Sequence, residues 1–294
     1  MKRALVLVNA YSKLPASLNQ AERLKAEFSR LGVNADIRPN DLGTYIEKNG
    51  EIAGYSGEYD FCIYLDKDKY TAAMLENSGL RLFNSRAAVE VCDDKMLTHL
   101  ALAGKGIAMP QTVAGKLCYS PEEGVKPFVI DDVEQKLGYP VIVKECYGSL
   151  GKGVYKADNR AELEAVAERV KIMPHLFQKF IAESAGRDIR VIVIGGRTVA
   201  AMQRRSNGDF RSNLAAGGTG EIYAADHKLE DMCGVIASTL GLDYCGIDIL
   251  QGKDGYVLCE VNSNAFFGGI EKVTGVNVAK QFAEYVYGRI YGDK

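Results

Sequence analysis

Two carboxylates and one amide stand at matched positions in a pair of apolar runs. The runs read as strands joined by a Gly-Lys-Asp-Gly turn, and a turn centred on Asp254 places Asp248 directly opposite Glu260. Because side chains alternate along a strand, Asn262 lies on the same face as Glu260. Burying these oxygens among apolar residues is unfavourable unless a cation compensates them, and hard oxygen donors select Mg²⁺ or Mn²⁺. The spacing therefore predicts a metal site, with an exposed hairpin face carrying ordinary polar residues as the alternative.

A lysine on an apolar strand precedes a glycine-rich loop. Lys144 ends the strand, and Gly148, Gly151 and Gly153 follow it. These glycines allow backbone N–H groups to approach phosphate oxygens, and Lys144 points away from the apolar face of its strand. The loop is not a P-loop, because the G-x-x-x-x-G-K-[ST] pattern is missing and the next predicted element is a strand. A movable flap over a nucleotide and an ordinary glycine-rich hairpin both remain open.

Arginines cluster in and beside another predicted hairpin. The cluster consists of Arg187, Arg190, Arg204, Arg205 and Arg211. Arginine pairs bidentately with carboxylate or phosphate, so the cluster suits an acidic substrate and a transferred phosphoryl group. A solvated basic face is the alternative. Nucleic-acid contact is disfavoured because no aromatic residues interleave the arginines.

The hydrophobic pattern predicts an α/β protein that positions these residues. Residues 1–90 alternate apolar strands with amphipathic helices and read as a small α/β domain. Residues 91–182 form a central part with the glycine-rich loop, and residues 183–294 form a carboxy-terminal part with the arginine cluster and the candidate metal residues. Helix starts are predicted at polar capping residues. The predicted caps are Ser17, Ser85, Asp93, Asn159 and Asp226.

The overall composition is that of an ordinary globular enzyme. The 294 residues are 47% apolar and 25% charged, which excludes a disordered or fibrous chain, and the formal net charge of -2 gives no global attraction for polyanions. Seven scattered cysteines, with no C-x-x-C pair, and three histidines make a zinc site unexpected. No run approaches the roughly 20 apolar residues of a membrane span. We expect a soluble, cytoplasmic protein without a membrane or direct nucleic-acid partner.

Taken together, the motifs resemble the ATP-grasp superfamily, and specifically the RimK-type α-L-glutamate ligases. The similarity runs from about Asp93 to Ala279. Its most specific stretches are Gly186-Arg187-Asp188-Ile189-Arg190-Val191, Gly208-Asp209-Phe210-Arg211-Ser212-Asn213, Gly246-Ile247-Asp248-Ile249-Leu250, Glu260-Val261-Asn262 and Gly269-Ile270-Glu271-Lys272. The resemblance implies an N-terminal α/β pre-ATP-grasp domain followed by a two-lobed ATP-grasp fold. It also implies a ligase that joins a carboxylate to an amine through an acyl phosphate.

The resemblance implies roles for individual residues, with ATP as co-substrate. The implied ATP contacts are Lys95, Lys144, Gln178, Lys179, Phe180, Ile181, Asp188, Arg211 and Asn213. Two of these, Lys144 and Arg211, are implied in catalysis because cations neutralise the charge that develops on the γ-phosphoryl group. The set implied for two Mg²⁺ or Mn²⁺ ions is Asp248, Glu260 and Asn262. The residues implied at the substrate carboxylate are Arg204 and Arg205.

One segment departs from the family pattern. After Asn262 the family has Ser-Pro-Gly, whereas this chain has Ser263-Asn264-Ala265. The segment borders the expected acceptor site, so it bears on whether a small molecule or a protein tail accepts the amino acid. Glutamate is the implied amine donor, and another amino acid is the alternative. A nucleotide-sensing or partner-binding module without turnover, and assembly into a homo-oligomer, also remain open.

Overall fold

The computed structural model describes residues 2–41, 43–55, 57–148, 151–206, 208–211 and 218–292. The strands are β1 (Arg3–Val8), β2 (Asn34–Pro39), β3 (Tyr45–Ile46), β4 (Ile52–Ala53), β5 (Phe61–Leu65), β6 (Leu82–Phe83), β7 (Thr112–Ala114), β8 (Val141–Glu145), β9 (Val154–Ala157), β10 (His175–Lys179), β11 (Arg187–Ile194), β12 (Arg197–Arg205), β13 (Thr219–Ile222), β14 (Tyr244–Gly252) and β15 (Gly255–Asn262). The helices are α1 (Pro15–Arg30), α2 (Lys69–Asn77), α3 (Arg86–Asp93), α4 (Lys95–Leu102), α5 (Pro127–Leu137), α6 (Arg160–Val170), α7 (His227–Thr239), α8 (Gly268–Thr274) and α9 (Val278–Tyr291). The predicted α/β class is confirmed. None of the described helices has the length and apolar character needed to cross a bilayer.

A parallel sheet in the order β2-β1-β5-β6 forms the centre of the amino-terminal part. β1 and β5 are buried along nearly their whole length, which is the pattern of strands covered on both faces. At the carboxyl ends of three strands, the buried Asp66 accepts hydrogen bonds from the side-chain amides of Asn9 at 3.0 Å and Asn40 at 2.8 Å. Neutral donors therefore satisfy this carboxylate.

Two antiparallel sheets make up the rest of the molecule. The second sheet has the order β7-β10-β8-β9, and the third has the order β13-β12-β11-β14-β15. Helices α5 and α6 cover the second sheet by packing Ile130, Val133, Leu163 and Ala167 against Phe177. Helix α7 covers one face of the third sheet. The candidate metal residues thus lie on the last two strands of the third sheet.

One apolar core joins the amino-terminal part to the last described helix. Phe28 of α1 and Phe61 of β5 belong to the same buried cluster as Phe282 and Val286 of α9. The two rings of Phe28 and Phe61 lie 5.4 Å apart. Burying each of these side chains stabilises the folded protein by about 1.5–3 kcal/mol. Helix α9 therefore contributes to the stability of the first sheet.

Asn84 adds a polar link between the same regions. The side chain is buried, and its amide nitrogen donates to the carbonyls of Tyr244 at 2.7 Å and Ser263 at 2.8 Å. Its Oδ1 accepts from the backbone N–H groups of Asp243 at 2.8 Å and Tyr244 at 2.9 Å. One side chain therefore fixes the start of β14 and the segment that follows β15.

Two predicted helix starts are wrong. Helix α1 begins at Pro15 rather than at Ser17, because proline has a φ suited to the first turn and lacks the N–H that would be unpaired there. Helix α4 is capped by Asp94, not Asp93, and the Asp94 carboxylate accepts from two first-turn N–H groups at 2.8 and 3.1 Å. The confirmed caps are Ser85, Asn159 and Asp226.

Candidate active site

A pocket opens between the second and third sheets and encloses about 780 Å³ of empty space, part of it continuous with solvent. The predicted site residues that line it are Lys144, Gln178, Lys179, Phe180, Ile181, Asp188, Arg211, Asp248 and Glu260. The predicted residues that do not line it are Lys95, Asn262, Arg204 and Arg205. Asn213 lies outside the described residues.

The acid pair faces the pocket because of a β-bulge. Asp248 of β14 pairs with Glu260 of β15, which confirms the predicted register. The two loop residues of the hairpin are Lys253 and Asp254. The centre of the turn therefore lies half a residue before Asp254, the centre assumed from the sequence. The ladder shifts between Asp248 and the next residue, so that Cys259 is the extra residue on β15. A bulge re-aims neighbouring side chains, and here it restores the pairing that an unbulged ladder would lose.

Asp248 belongs to a buried network of two aspartates and two arginines. Arg190, directly opposite on β11, binds both carboxylate oxygens, with Nη2 2.8 Å from Oδ2. Arg204 places Nη2 3.0 Å from Oδ1 of Asp248 and Nε 2.7 Å from Oδ1 of Asp188. Burial alone would raise the pKa of Asp248, but the charges of Arg190 and Arg204 hold it below its ordinary value. Arginines therefore compensate this buried carboxylate, a role that the sequence analysis reserved for a metal ion.

The two arginines assigned to a substrate carboxylate lie on opposite faces of β12. Arg204 is 5% exposed, with Nε and Nη2 engaged by the two aspartates. Arg205 is exposed and pairs with Glu221 of β13 at 3.0 Å. Since Arg204 is enclosed by these ion pairs, a substrate could reach it only by rearranging them. The proposed contact of either residue with substrate stays a prediction.

Two buried lysines surround the acid pair. Lys95 opens α4, donates from Nζ to the carbonyl of Gly148 at 3.1 Å, and places Nζ 3.8 Å from Oε1 of Glu260. Lys144 of β8 places Nζ 3.8 Å from Sγ of Cys259, next to the bulge. Burial raises the pKa of the Cys259 thiol to about 11, so this sulfur stays protonated at neutral pH. Positive charge is thus concentrated where nucleotide phosphates are expected.

The side chain of Gln178 is buried and forms hydrogen bonds within the protein. It is 1% exposed, and its Nε2 lies 2.6 Å from Nε2 of His99 and 3.0 Å from Oγ1 of Thr112. Burial and the charge of Lys144 lower the pKa of His99 to about 4, so the imidazole is neutral at pH 7. His99 belongs to no sequence motif and was not among the predicted site residues. The glutamine side chain therefore anchors β10 to α4 and β7, and its predicted contact with a nucleotide stays a prediction.

Arg211 connects the two loops at the mouth of the pocket. Its Nη1 donates to the carbonyl of Gly151 in the glycine-rich loop at 2.9 Å. Its Nη2 lies 2.8 Å from Oδ2 of Asp209, an ion pair that raises the pKa of the guanidinium. Both residues line the pocket, so this hydrogen bond links the two loops at its wall.

The oxygen donors of the site suit magnesium. Within the described residues, no group of three or more His, Cys, Asp and Glu side chains could hold a metal ion alone. Asp248, Glu260 and Asn262 supply two carboxylates and an amide, and Mg²⁺ in nucleotide sites is commonly held by one or two carboxylates plus phosphate oxygens. The donor set fits an ion that is shared with a nucleotide.

Comparisons with known proteins agree with the motifs. A family model described as "RimK-like ATP-grasp domain" matches residues 92–286. Among curated proteins, the chain is 35% identical over 286 residues to "Probable alpha-L-glutamate ligase 2" of Pseudoalteromonas atlantica, with 92% of each chain covered. It is 35% identical over 224 residues to "Beta-citrylglutamate synthase B" of Danio rerio, where the match covers 75% of this chain and 54% of that protein. The chain therefore spans about half the length of this second relative.

Solved structures agree on the fold. The ATP-grasp ligase PsnB, complexed with a phosphomimetic variant of its minimal precursor, Mg and ADP, superposes with a TM-score of 0.68 at 17% identity. The superposition covers 98% of this chain and 99% of that one. At this identity the likeness shows the fold alone. With the family model matching well over half of the sequence, the chain belongs to the RimK-like ATP-grasp family.

Proposed function

We propose that this protein is an ATP- and magnesium-dependent carboxylate–amine ligase that releases ADP. The observation that carries the proposal is the convergence of Lys144, Arg211, Asp248 and Glu260 on one pocket between two sheets. Cations beside a pair of carboxylates form the arrangement that phosphoryl transfer requires, because charge develops on the transferred group and on its metal ions.

The reaction would proceed in two balanced steps. A carboxylate oxygen of the acceptor attacks the γ-phosphorus of ATP, the bond from that phosphorus to the β,γ-bridging oxygen breaks, and ADP leaves. The amine then attacks the acyl carbon, phosphate leaves, and the amine loses a proton. Because the phosphoryl group activates the carboxylate, no protein nucleophile is needed.

Individual residues would divide this work. Lys144 and Lys95 would hold phosphate oxygens, and Arg211, which already reaches the glycine-rich loop, would bind the terminal phosphate. Asp188 would contact the ribose, and the backbone of residues 179–181 would contact the adenine. Asp248, Glu260 and Asn262 would hold magnesium. We propose two ions, for which manganese could substitute. The ions would neutralise charge at the γ-phosphate. The protein's own contribution is positioning and the exclusion of water.

Glutamate is the proposed amine donor, and a peptide or small-molecule carboxylate is the proposed acceptor. Two relatives support this choice, because one is called an alpha-L-glutamate ligase and another a beta-citrylglutamate synthase. The departure at Ser263-Asn264-Ala265 lies beside the metal residues and would set the acceptor.

The test is ADP release from MgATP with pooled amino acids and pooled carboxylic acids, followed by mass spectrometry of the product. Glu260→Gln should abolish release, whereas Asp254→Asn, at the exposed tip of the same hairpin, should leave it unchanged. Release that needs one amino acid and one acid would identify both substrates. Equal release by Glu260→Gln and the unaltered protein would disprove the metal assignment.

A nucleotide-sensing module is the second candidate. The observation that favours it is the engagement of both Asp248 oxygens by arginines, which competes with metal binding. Binding of MgATP in calorimetry, with no ADP release in any substrate pool including protein extracts, would support this function over the ligase.

A further inference from the structure

A second pocket, here called the lateral pocket, lies on the helix-covered side of the second sheet. It encloses about 660 Å³ of empty space, part of it open to solvent. Residues 116–126, α5, α6 and β10 form its wall. The apolar side chains of this wall are Leu117, Val125, Phe128, Val129, Ala167 and Phe177. Neither the motif analysis nor the proposed mechanism gives this pocket a role.

The second sheet separates the lateral pocket from the nucleotide pocket. Ile142 and Lys144 of β8 and Gln178 of β10 line the nucleotide pocket. His175 and Phe177, on the same strand as Gln178, line the lateral pocket. Because side chains alternate between the two faces of a strand, the pockets lie on opposite faces of one sheet.

His175 brings an unpaired polar atom to the wall of the lateral pocket. The residue is 5% exposed, and its Nδ1 lies 2.7 Å from the carbonyl oxygen of Met173. A carbonyl only accepts, so Nδ1 carries a proton. Burial lowers the pKa of His175, which keeps the ring neutral and makes Nε2 an acceptor. Within the part of the chain that the structure describes, no donor reaches this Nε2.

Gly115 leaves space beside that nitrogen. Its N–H donates to the carbonyl of His175 at 2.9 Å, which holds the loop against β10. A Cβ at residue 115 would lie 2.2 Å from Nε2 of His175, so any other residue would collide with the ring. Nε2 also keeps some accessible surface, unlike the unpaired Nδ1 of His99, which is sealed inside the protein.

The other polar groups of the wall are occupied or charged. Lys171 donates to the carbonyl of Glu123 at 2.5 Å and pairs with Glu168, and Cys118 donates from Sγ to a backbone carbonyl at 3.0 Å. A buried water needs two or more polar partners, whereas an apolar molecule with one donor needs only Nε2. Among the described residues of this wall none is acidic and three are lysines, so a cation is disfavoured.

Two phenyl rings in the wall favour an aromatic ligand. Phe128 of α5 is 64% exposed, and a flat molecule in the pocket would cover part of it. The rings of His175 and Phe177 already meet edge to face, with their centroids 5.2 Å apart. Aromatic rings prefer such edge-to-face or offset contacts, so a ligand ring beside His175 would extend an existing pair.

We propose that the lateral pocket binds a small aromatic molecule, neutral or anionic, whose single N–H or O–H group donates to Nε2 of His175. The proposal does not depend on the ligase function, because the two pockets lie on opposite faces of the second sheet.

Nuclear magnetic resonance on the full chain with saturating magnesium and AMPPNP tests the proposal. The nucleotide analogue fills the adenine site, where a flat ring could otherwise bind. The probes are phenol and indole, and the controls are anisole and 1-methylindole, which keep the ring but lose the donor. Phenol and indole should bind about fivefold more tightly than their methylated analogues, the effect of one neutral hydrogen bond.

The imidazole signals report directly on the contact. The chain has three histidines, so the ¹⁵N signal of Nε2 of His175 can be assigned by its loss in His175→Phe. Phenol and indole should shift this signal, and anisole should leave it nearly unmoved. This readout needs no folded variant, since His227→Phe and the indifference of the remaining signals complete the assignment.

A matched pair of variants separates the acceptor from the ring. His175→Phe keeps a ring of similar size and removes Nε2, so the fivefold preference for phenol over anisole should fall to about one. His227→Phe changes a fully exposed imidazole and should keep the preference. A cooperative melting transition and an unaltered affinity for AMPPNP verify that His175→Phe is folded.

Each outcome decides the proposal. Saturable binding of phenol or indole, weakened by methylation and accompanied by a shift of the His175 signal, supports it. No saturable binding at millimolar concentration, equal binding of the methylated probes, or an unchanged preference in a folded His175→Phe overturns it. Tighter binding of cyclohexanol than of phenol would overturn the aromatic class.

Discussion

Removing Arg190 should destabilise the protein, because the buried Asp248 carboxylate needs positive charge beside it. The buried network of Arg190, Arg204, Asp188 and Asp248 contains two positive and two negative side chains, so it is neutral as a whole. The change Arg190→Met keeps most of the side-chain volume and removes one charge. It leaves Asp248 sharing Arg204 with Asp188, and the network then carries one uncompensated negative charge.

The size of the effect follows from burial. Arg190 and Asp248 are 13% and 7% exposed as side chains, and they are joined by two parallel hydrogen bonds. Breaking such a buried pair from one side costs about 3–5 kcal/mol. For a chain of this size, that loss lowers the melting temperature by roughly 10 °C.

Urea denaturation is the suitable assay, because urea leaves ion pairs unscreened. Arg197→Met, an exposed arginine at the other end of the same hairpin, serves as control and should stay within about 0.5 kcal/mol. The double change Arg190→Met with Asp248→Asn removes both charges and should recover a large part of the loss. Magnesium should raise the melting temperature of Arg190→Met more than that of the unaltered protein, since the Asp248 carboxylate has then lost one of its two arginine partners.

Two results would refute this reasoning. A loss below about 1 kcal/mol for Arg190→Met would mean that the pair behaves like an exposed one. A double variant as unstable as the single one would mean that packing, and not the uncompensated charge of Asp248, causes the loss.

Three further predictions concern other buried groups. Asn84→Ala removes four hydrogen bonds and should lower the free energy of unfolding, measured by urea titration, by about 2–4 kcal/mol. The control Asn77→Ala changes an exposed side chain and should lower it by about 0.5 kcal/mol or less. The pKa of His99 is about 4 in the folded protein and near 6.5 in the unfolded chain. Between these pH values the unfolded chain binds more protons than the folded protein. The free energy of unfolding should therefore fall by up to about 2 kcal/mol as the pH drops from 7 to 5. His99→Gln should flatten that profile and the exposed His227→Gln should not, and an unchanged His99→Gln profile would contradict the assignment. Lys144→Met should weaken MgATP binding about tenfold in calorimetry, and an unaltered affinity would remove Lys144 from the phosphate site.

The pair Asp248 and Glu260 shows which part of the site could be predicted from the sequence. The two strands and the pairing of Asp248 with Glu260 were predictable from alternation and a turn. The turn was misplaced by half a residue, and the bulge at Cys259 offsets that error. A bulge depends on how a strand meets its neighbours in three dimensions, so the pattern of residue types does not reveal it.

The arginines mark the limit more clearly. Alternation shows that Arg204 and Arg205 face opposite ways, but it does not tell which of them is buried. That choice follows from the pairing of Asp188 with Arg204 across β11 and β12, and of Arg190 with Asp248 across β11 and β14. The first contact lies within one hairpin, but the second joins residues 58 positions apart. The role of Arg190 could therefore not be predicted from local sequence.

Short elements were also missed. Strand β7 has three residues and helix α8 has seven, too few for a periodic pattern to stand out. Yet β7 carries Thr112, a partner of Gln178, and α8 carries Glu271, which pairs with Arg23 of α1. Tertiary packing, rather than local preference, maintains such elements.

The core that α1 and β5 share with α9 also has a consequence for the order of synthesis. During translation the chain emerges from its amino terminus, so Phe28 and Phe61 leave the ribosome long before Phe282 and Val286. Until α9 is made, the first sheet and α1 present an apolar surface that the finished protein covers. We therefore expect nascent chains stalled before α9 to bind chaperones or aggregate, and release of the complete chain to end that exposure.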